Sequence, residues 1–205
     1  MWQGGGMPAK RPPVPLSRER IIEAALHLAD AEGLRRLTMR KLGDALQVEA
    51  MAIYHHLPRG KEALFDALAE HVTAVHVDPG PAAGWQDIAR AWARARRAAL
   101  LEHPGVLSLA LTRPPKGAAL ASLTEQTEQL REAGLGDAAP AAVRALLAYV
   151  YGSVAVELQR SGWADPDAEV REVRTAEGER EFAEGLDALI AGISGWARDG
   201  SGTRP

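Results

Sequence analysis

The chain of 205 residues contains no cysteine, which excludes disulfide frameworks and thiolate metal sites. No apolar run approaches the roughly 18 residues that a membrane span needs, and Met1 to Pro15 lacks the apolar stretch of a signal peptide. A cytoplasmic protein with no membrane partner is therefore expected. Period-two alternation is missing, so no strand pattern competes with helix. Also missing are a nucleophile elbow, a phosphate loop and a spaced acid pair, so neither catalysis nor a cofactor is expected. His71 and His76 stand five residues apart, on different faces of a helix, and no cysteine or carboxylate cluster completes a site. No metal is expected.

What is present is ordinary globular composition, 46% hydrophobic and 25% charged, which excludes disorder throughout. The net charge of −3 is unevenly spread. Residues 1–61 hold ten Lys/Arg against six Asp/Glu, a net +4, whereas residues 62–205 hold fourteen against twenty-one, a net −7. Such asymmetry points to a basic segment that meets a polyanion, joined to a body that does not.

Residues 1–15, rich in Gly and Pro with Lys10 and Arg11, read as a disordered arm, either a plain tail or one that brushes phosphates. Ser17 is an N-cap for a first helix carrying Ile21, Ile22, Ala25, Leu28 and Ala29, which Gly33 stops. Thr38 caps a second short helix through Leu46, and a third runs from about Ala50 to His56, burying Ile53 and Leu57 before Pro58 and Gly60 end it. Two short helices joined by a tight turn behind a longer one make a helix-turn-helix. A fourth helix is expected from Lys61 to about Val77, and the DPGPAAG stretch from Asp78 to Gly84 divides the chain.

Residues 16–77 are thus a three-helix DNA-binding domain with a linking fourth helix, and residues 78–205 a larger helical domain. Its helices are placed at Trp85 to Leu101, Val106 to Leu111, Lys116 to Ala133, Pro140 to Gly162 and Glu179 to Asp199. Ala164 to Gly178 reads as a mobile loop. The fold class is all-α.

Leu37-Thr38-Met39-Arg40-Lys41-Leu42, Ala50-Met51-Ala52-Ile53-Tyr54-His55-His56-Leu57 and Lys61-Glu62-Ala63-Leu64 resemble the helix-turn-helix signature of the tetracycline-repressor family. Weaker similarity to its tetracycline-type branch continues at Trp85-Gln86, Thr112-Arg113-Pro114 and Gly185 to Ile190. The resemblance implies a homodimer on double-stranded operator DNA, released by a small-molecule effector. Arg40 would reach into the major groove, with Ala50, Met51 and Ala52 against thymine methyls. Tyr54, His56 and Lys61 would hold phosphates, Thr38 would add a hydroxyl, and Lys41 and His55 flank the same surface. Gln47 stands where the family's bend has Gly, so a left-handed residue is expected there at a cost on the order of 1 kcal/mol. Pro58-Arg59-Gly60 is one residue longer than the tetracycline-type turn.

The resemblance also places an effector pocket near His76, Trp92, Arg96, Leu109, Thr112, Arg113, Leu146 and Val150. Trp92 and Leu109 occupy positions where an amide and an imidazole are expected, so a mostly apolar effector other than magnesium-tetracycline is anticipated. Independently, Trp85, Ile88, Ala89, Trp92, Arg96 and Leu100 share one helical stripe, putting a guanidinium where an apolar side chain belongs. Arg96 needs a carboxylate, from the protein or from a ligand, unless it snorkels to solvent. Two further stripes, Val143, Leu146, Leu147, Val150, Val154, Leu158 and Phe182, Leu186, Leu189, Ile190, Ile193, either form a four-helix dimer interface or complete the subunit core. The alternative function is a helical small-molecule-binding dimer without operator binding, acting through a protein partner.

Overall fold

The computed structural model describes residues 15–78, 80, 84–161 and 176–199. Residues 1–14 of the N-terminal arm, most of the DPGPAAG stretch and positions 162–175, which include most of the expected loop, lie outside the described residues. No strand occurs among those described.

Local chemistry accounts for the first three helices. The Ser17 hydroxyl accepts from the Arg20 amide at 3.2 Å and starts α1 (Arg18–Glu32), which buries Ile21, Ile22, Ala25, Leu26 and Ala29 and stops at Gly33, φ 83°. The Thr38 hydroxyl accepts from the Lys41 amide at 3.2 Å and starts α2 (Met39–Leu46). Gln47 follows in the left-handed region, φ 56° and ψ 41°, as the family resemblance implies. That bend turns the chain into α3 (Ala50–His56), whose Ile53 is fully buried.

The bend is tight because Gly43 is bare. A Cβ there would lie 2.8 Å from the Val48 carbonyl oxygen, a backbone atom that cannot swing aside. Gly43→Ala would gain about 1 kcal/mol in helix propensity but force α2 and α3 apart, an overpacking cost of about 1 to 3 kcal/mol. Urea unfolding followed by circular dichroism should therefore report net destabilisation; an alanine variant more stable than the parent would refute the close approach.

α4 (Lys61–Thr73) is four residues shorter than expected. The Thr73 hydroxyl bonds back to the Ala69 carbonyl at 2.6 Å, and side chains from elsewhere take the carbonyls beyond the last turn. Arg96 donates to the Thr73 carbonyl at 2.8 Å, and the Ser122 hydroxyl donates to that of Val75. Tertiary partners thus end the helix where the β-branched run of Val72, Thr73, Val75 and Val77 begins to weaken it.

The rest comprises α5 (Trp85–Glu102), α6 (Leu107–Thr112), α7 (Gly117–Leu130), α8 (Ala139–Arg160) and α9 (Ala176–Asp199). Ala176, Glu177 and Gly178, expected in the loop, instead form the first turn of α9. The expected helix to Ala133 gives way at Arg131 to a widened turn in which Gly134 adopts φ 108°. Before α6, the turn Pro104–Val106 packs on the end of α1. One continuous apolar core runs from Ile21 in α1 to Ile193 in α9, with α4 and α5 shared by both halves.

Most of the two candidate dimer stripes lies inside that core: Leu146, Val150, Val154, Leu186 and Ile193 are fully buried within the single subunit. They complete the subunit, and only Leu147 and Leu189 remain partly accessible. The outer faces of α8 and α9 instead present small residues, among them Ala148, Gly152, Ala155, Ala188 and Gly192, with Val156 exposed. The segment Gly117–Arg160 includes an 18-residue window with mean hydropathy 1.4, apolar enough by length and composition for a membrane span, although no single apolar run stood out in the sequence.

Candidate nucleic-acid interface and internal cavity

At the N-terminal end of the molecule α3 projects Met51, 69% exposed, beyond partly covered Ala50 and Ala52. Ile53 and Leu57 anchor the helix from behind. Arg40 and His55 are exposed and form no hydrogen bond or ion pair among the described residues. Tyr54 owes its position to Gly60, φ 57°: a Cβ at that glycine would come within 2.7 Å of the ring. Lys61 holds its ammonium 5.1 Å above the Phe65 ring, and His56 faces solvent. Two predicted contacts are partly occupied, since Thr38 caps α2 and Lys41 pairs with Glu32. The result is an apolar tip flanked by cations and a phenol, the pattern that suits base edges in the centre and phosphates at the sides.

Deeper in the body, a half-open cavity of about 450 Å³ lies between α4, α6, α7 and α8, and α5 contributes Arg96 to it. Of the residues expected there, Arg96, Thr112 and Arg113 line it. Trp92 is fully buried beneath Arg96, its ring 4.8 Å from the guanidinium carbon. Leu109, Leu146 and Val150 are core residues, and exposed His76 pairs with Glu125 at 2.9 Å, away from the cavity. Leu147 and Tyr151 line it instead, each one residue beyond its predicted neighbour, a rotation of about 100° on α8. Thr73 and Asp66 of α4 were also missed, because only the folded chain brings them beside α6.

One charge cluster borders this space, and a second lies beyond it between α5, α8 and α9. Asp66 accepts from Arg113 at 2.6 Å, Arg59 at 3.0 Å and Lys116 at 3.2 Å. These hydrogen bonds, Arg113's foremost, hold its pKa down at about 2 against the cost of burial. Arg113 also reaches Glu62 at 2.9 Å, so the acidic row of α4 is fastened to the α6–α7 loop. Arg97, almost wholly buried, has two carboxylates, Glu157 at 2.7 Å and Glu179 at 2.5 Å, which join α5 to α8 and α9.

Adjacent Arg96 has no carboxylate, contrary to expectation for a non-snorkelling arginine. Its partners are the Thr73 carbonyl and the Tyr151 hydroxyl at 3.3 Å, and its Nε has none. Burial lowers its pKa, opposed by Tyr151.

The cavity's donor set does not fit a chelated divalent ion. Its two carboxylates are engaged, Asp66 by three cations and Glu70 by the Ala118 amide at 2.7 Å, and Leu109 offers no imidazole. No group of three His, Cys, Asp or Glu suited to a metal occurs among the described residues. A larger open hollow of about 800 Å³ lies over α8 and α9; there Glu157 is held by Arg97 and Arg160 by Glu181 at 2.5 Å.

Comparison with known proteins places both regions. Residues 21–68 match the family described as bacterial regulatory proteins, tetR family, and residues 78–173 match the tetracyclin repressor-like C-terminal domain. The HTH-type transcriptional repressor DrrR1 of Streptomyces coeruleorubidus is 30% identical, over 95% of this chain and 74% of its own. Tetracycline repressor protein class D of Escherichia coli is 34% identical, over 87% and 89%. The structure of the TetR family protein ActR of Streptomyces coelicolor in complex with actinorhodin superposes with a TM-score of 0.72 at 25% identity, covering 90% of this chain and 99% of that one.

Proposed function

The chain belongs to the tetR family of bacterial regulatory proteins, and from that premise we propose how its two sites divide the work of a repressor. It is a ligand-responsive, DNA-binding transcriptional repressor. The observation that carries the finer reading is the exposed tip of α3, with unpaired Arg40 beside it and Tyr54 braced by Gly60. Residues 16–77 grip a palindromic operator in the cytoplasm, while residues 78–205 hold the effector and pair two subunits. Arg40 reaches a guanine edge, the Ala50-Met51-Ala52 turn reads methyl groups, and Tyr54, His55, His56 and Lys61 meet the backbone. Thr38 and Lys41, already engaged locally, support that surface.

A second copy of the chain covers the outer small-residue faces of α8 and α9, where close backbone approach favours a tight four-helix contact. Such a dimer sets two recognition helices about one DNA turn, roughly 34 Å, apart. An effector in the cavity favours a spacing that no longer fits, transmitted by α4, which runs from the DNA-binding unit to the cavity wall.

Selection of bound duplexes from a random library should recover one palindrome. On that duplex Arg40→Ala should weaken binding by about 1 to 3 kcal/mol and relax one position, whereas Lys61→Ala should weaken all sequences alike and lower the salt slope by about one. Failure to enrich any sequence, with Arg40→Ala inconsequential, would leave operator recognition without support.

A further inference from the structure

Two neighbouring arginines on α5 are buried to the same depth and treated oppositely. Arg97 is 2% exposed and carries a bidentate carboxylate plus a second one. Arg96 is 0% exposed and carries none. Its strongest partner is the Thr73 carbonyl at the C-terminal end of α4, where the helix dipole supplies about half a negative charge. The remainder of the guanidinium charge is uncompensated, and an uncompensated buried charge is costly.

Nearby groups do not cancel it. Asp66 is consumed by three cations, and Glu70 accepts the Ala118 amide and lies 3.7 Å from Arg18. Arg96 nevertheless lines a cavity of about 450 Å³, within the size range of small-molecule sites. Ala110, Leu123 and Leu147 give it an apolar stretch of wall, and its other charged groups, Asp66, Glu70, Arg113 and Lys116, are already paired. Such a space accepts a hydrophobic body and leaves one demand at Arg96.

We infer that the effector is an organic anion, a carboxylate on a mainly apolar ring body, whose charged end docks on the Arg96 guanidinium and draws it from the Thr73 carbonyl. This rests on the effector-released repressor proposed above and assigns the chemical class of its effector. The planar fork of an arginine suits a carboxylate, and a charge-assisted pair on a guanidinium this deeply buried is stronger than one in open solvent. Trp92 beneath the guanidinium keeps it in plane with a cation–π contact at 4.8 Å. Removing the guanidinium leaves the Thr73 carbonyl with the Val75 amide at 3.0 Å, which loosens the end of α4. Ligand binding and lever release are then the same hydrogen-bond exchange, and only an anion brings it about.

The test uses the full-length protein and calorimetric titration with naphthoate, biphenyl carboxylate and anthracene carboxylate, each against its carboxamide of equal shape. At least one carboxylate should bind roughly ten- to a hundredfold more tightly than its amide. In Arg96→Gln, with folding checked by thermal melting, that preference should fall to near unity. If the variant does not fold, the parent series decides alone. Carboxylates that bind no better than amides throughout the series, or not at all, overturn the inference, as does a preference that survives in folded Arg96→Gln. Operator binding is measured separately: its absence beside a clear carboxylate preference removes the repressor reading and leaves the anion site standing. Operator binding without that preference removes the anion site alone.

Discussion

Gly105→Ala should lower thermal stability and operator affinity together while leaving the cavity competent to bind. A Cβ at residue 105 would stand 2.5 Å from the Ala29 carbonyl carbon and 2.8 Å from the Asp30 amide nitrogen, both backbone atoms of α1. No rotamer relieves such a contact, so α1 and the Pro104–Val106 turn must separate. Their separation breaks a clamp: the Gly105 amide donates to one Asp30 oxygen at 2.9 Å, and His103 Nδ1 lies 2.8 Å from the other.

Overpacking of this kind costs about 1 to 3 kcal/mol. Because α1 carries the helix-turn-helix and the turn belongs to the body, the same displacement alters the spacing of the two recognition helices. A drop of about tenfold or more in operator affinity, the equivalent of 1.4 kcal/mol, is expected in gel-shift titrations. Parent-like melting and binding would show the contact to be slack.

Asp66→Asn should have the second large effect, and a distinctive acid signature. The carboxylate neutralises Arg113, Lys116 and Arg59, and an amide leaves those cations facing one another. Its folded pKa of about 2 lies below the ordinary 3.8, so its stabilisation is complete above roughly pH 4 and disappears as pH falls through 2. The shift corresponds to about 1 to 2 kcal/mol, the lower figure allowing for solvent around Arg59 and Lys116. Denaturation at neutral pH should show that loss, and stability measured between pH 4 and 2 should fall less steeply in the variant. Equal slopes would mean that Asp66 is not the titrating group. Functionally, α4 would no longer be fastened to the α6–α7 loop, so effector would release the operator less completely than in the parent.

The DNA-binding unit was legible in the sequence because its determinants are local. Ser17 and Thr38 cap helices that begin one residue later, and the αL bend at Gln47 falls where the family resemblance places it. Arg96 was legible as an anomaly, since charge interrupts an apolar stripe on α5. What relieved it was not, because the Thr73 carbonyl and Tyr151 hydroxyl come from helices distant in sequence. The Asp66–Arg113 fastening likewise spans 47 positions and leaves no periodic trace.

Amphipathic stripes on α8 and α9 correctly announced burial but carried no sign of what buries them: Val154 and Leu186 pack inside their own subunit. The end of α4 was misjudged for a related reason. Helix periodicity continues through Val75, whereas the competition for carbonyls that stops the helix is tertiary.

The body that results is a machine of unequal stiffness. Arg97, 2% exposed, rivets α5 to α8 through Glu157, itself 13% exposed, and such a joint is nearly indifferent to the surrounding electrolyte. The joint between α4 and the α6–α7 loop sets Arg113, 20% exposed, on Asp66 and surrounds that pair with Glu62 and Lys116, both more than half exposed. Dissolved ions screen the outer contacts of the second joint and spare the first. Rising ionic strength therefore makes the lever more compliant against an unyielding frame, so the osmotic circumstances of the cell set how far the same molecular push travels.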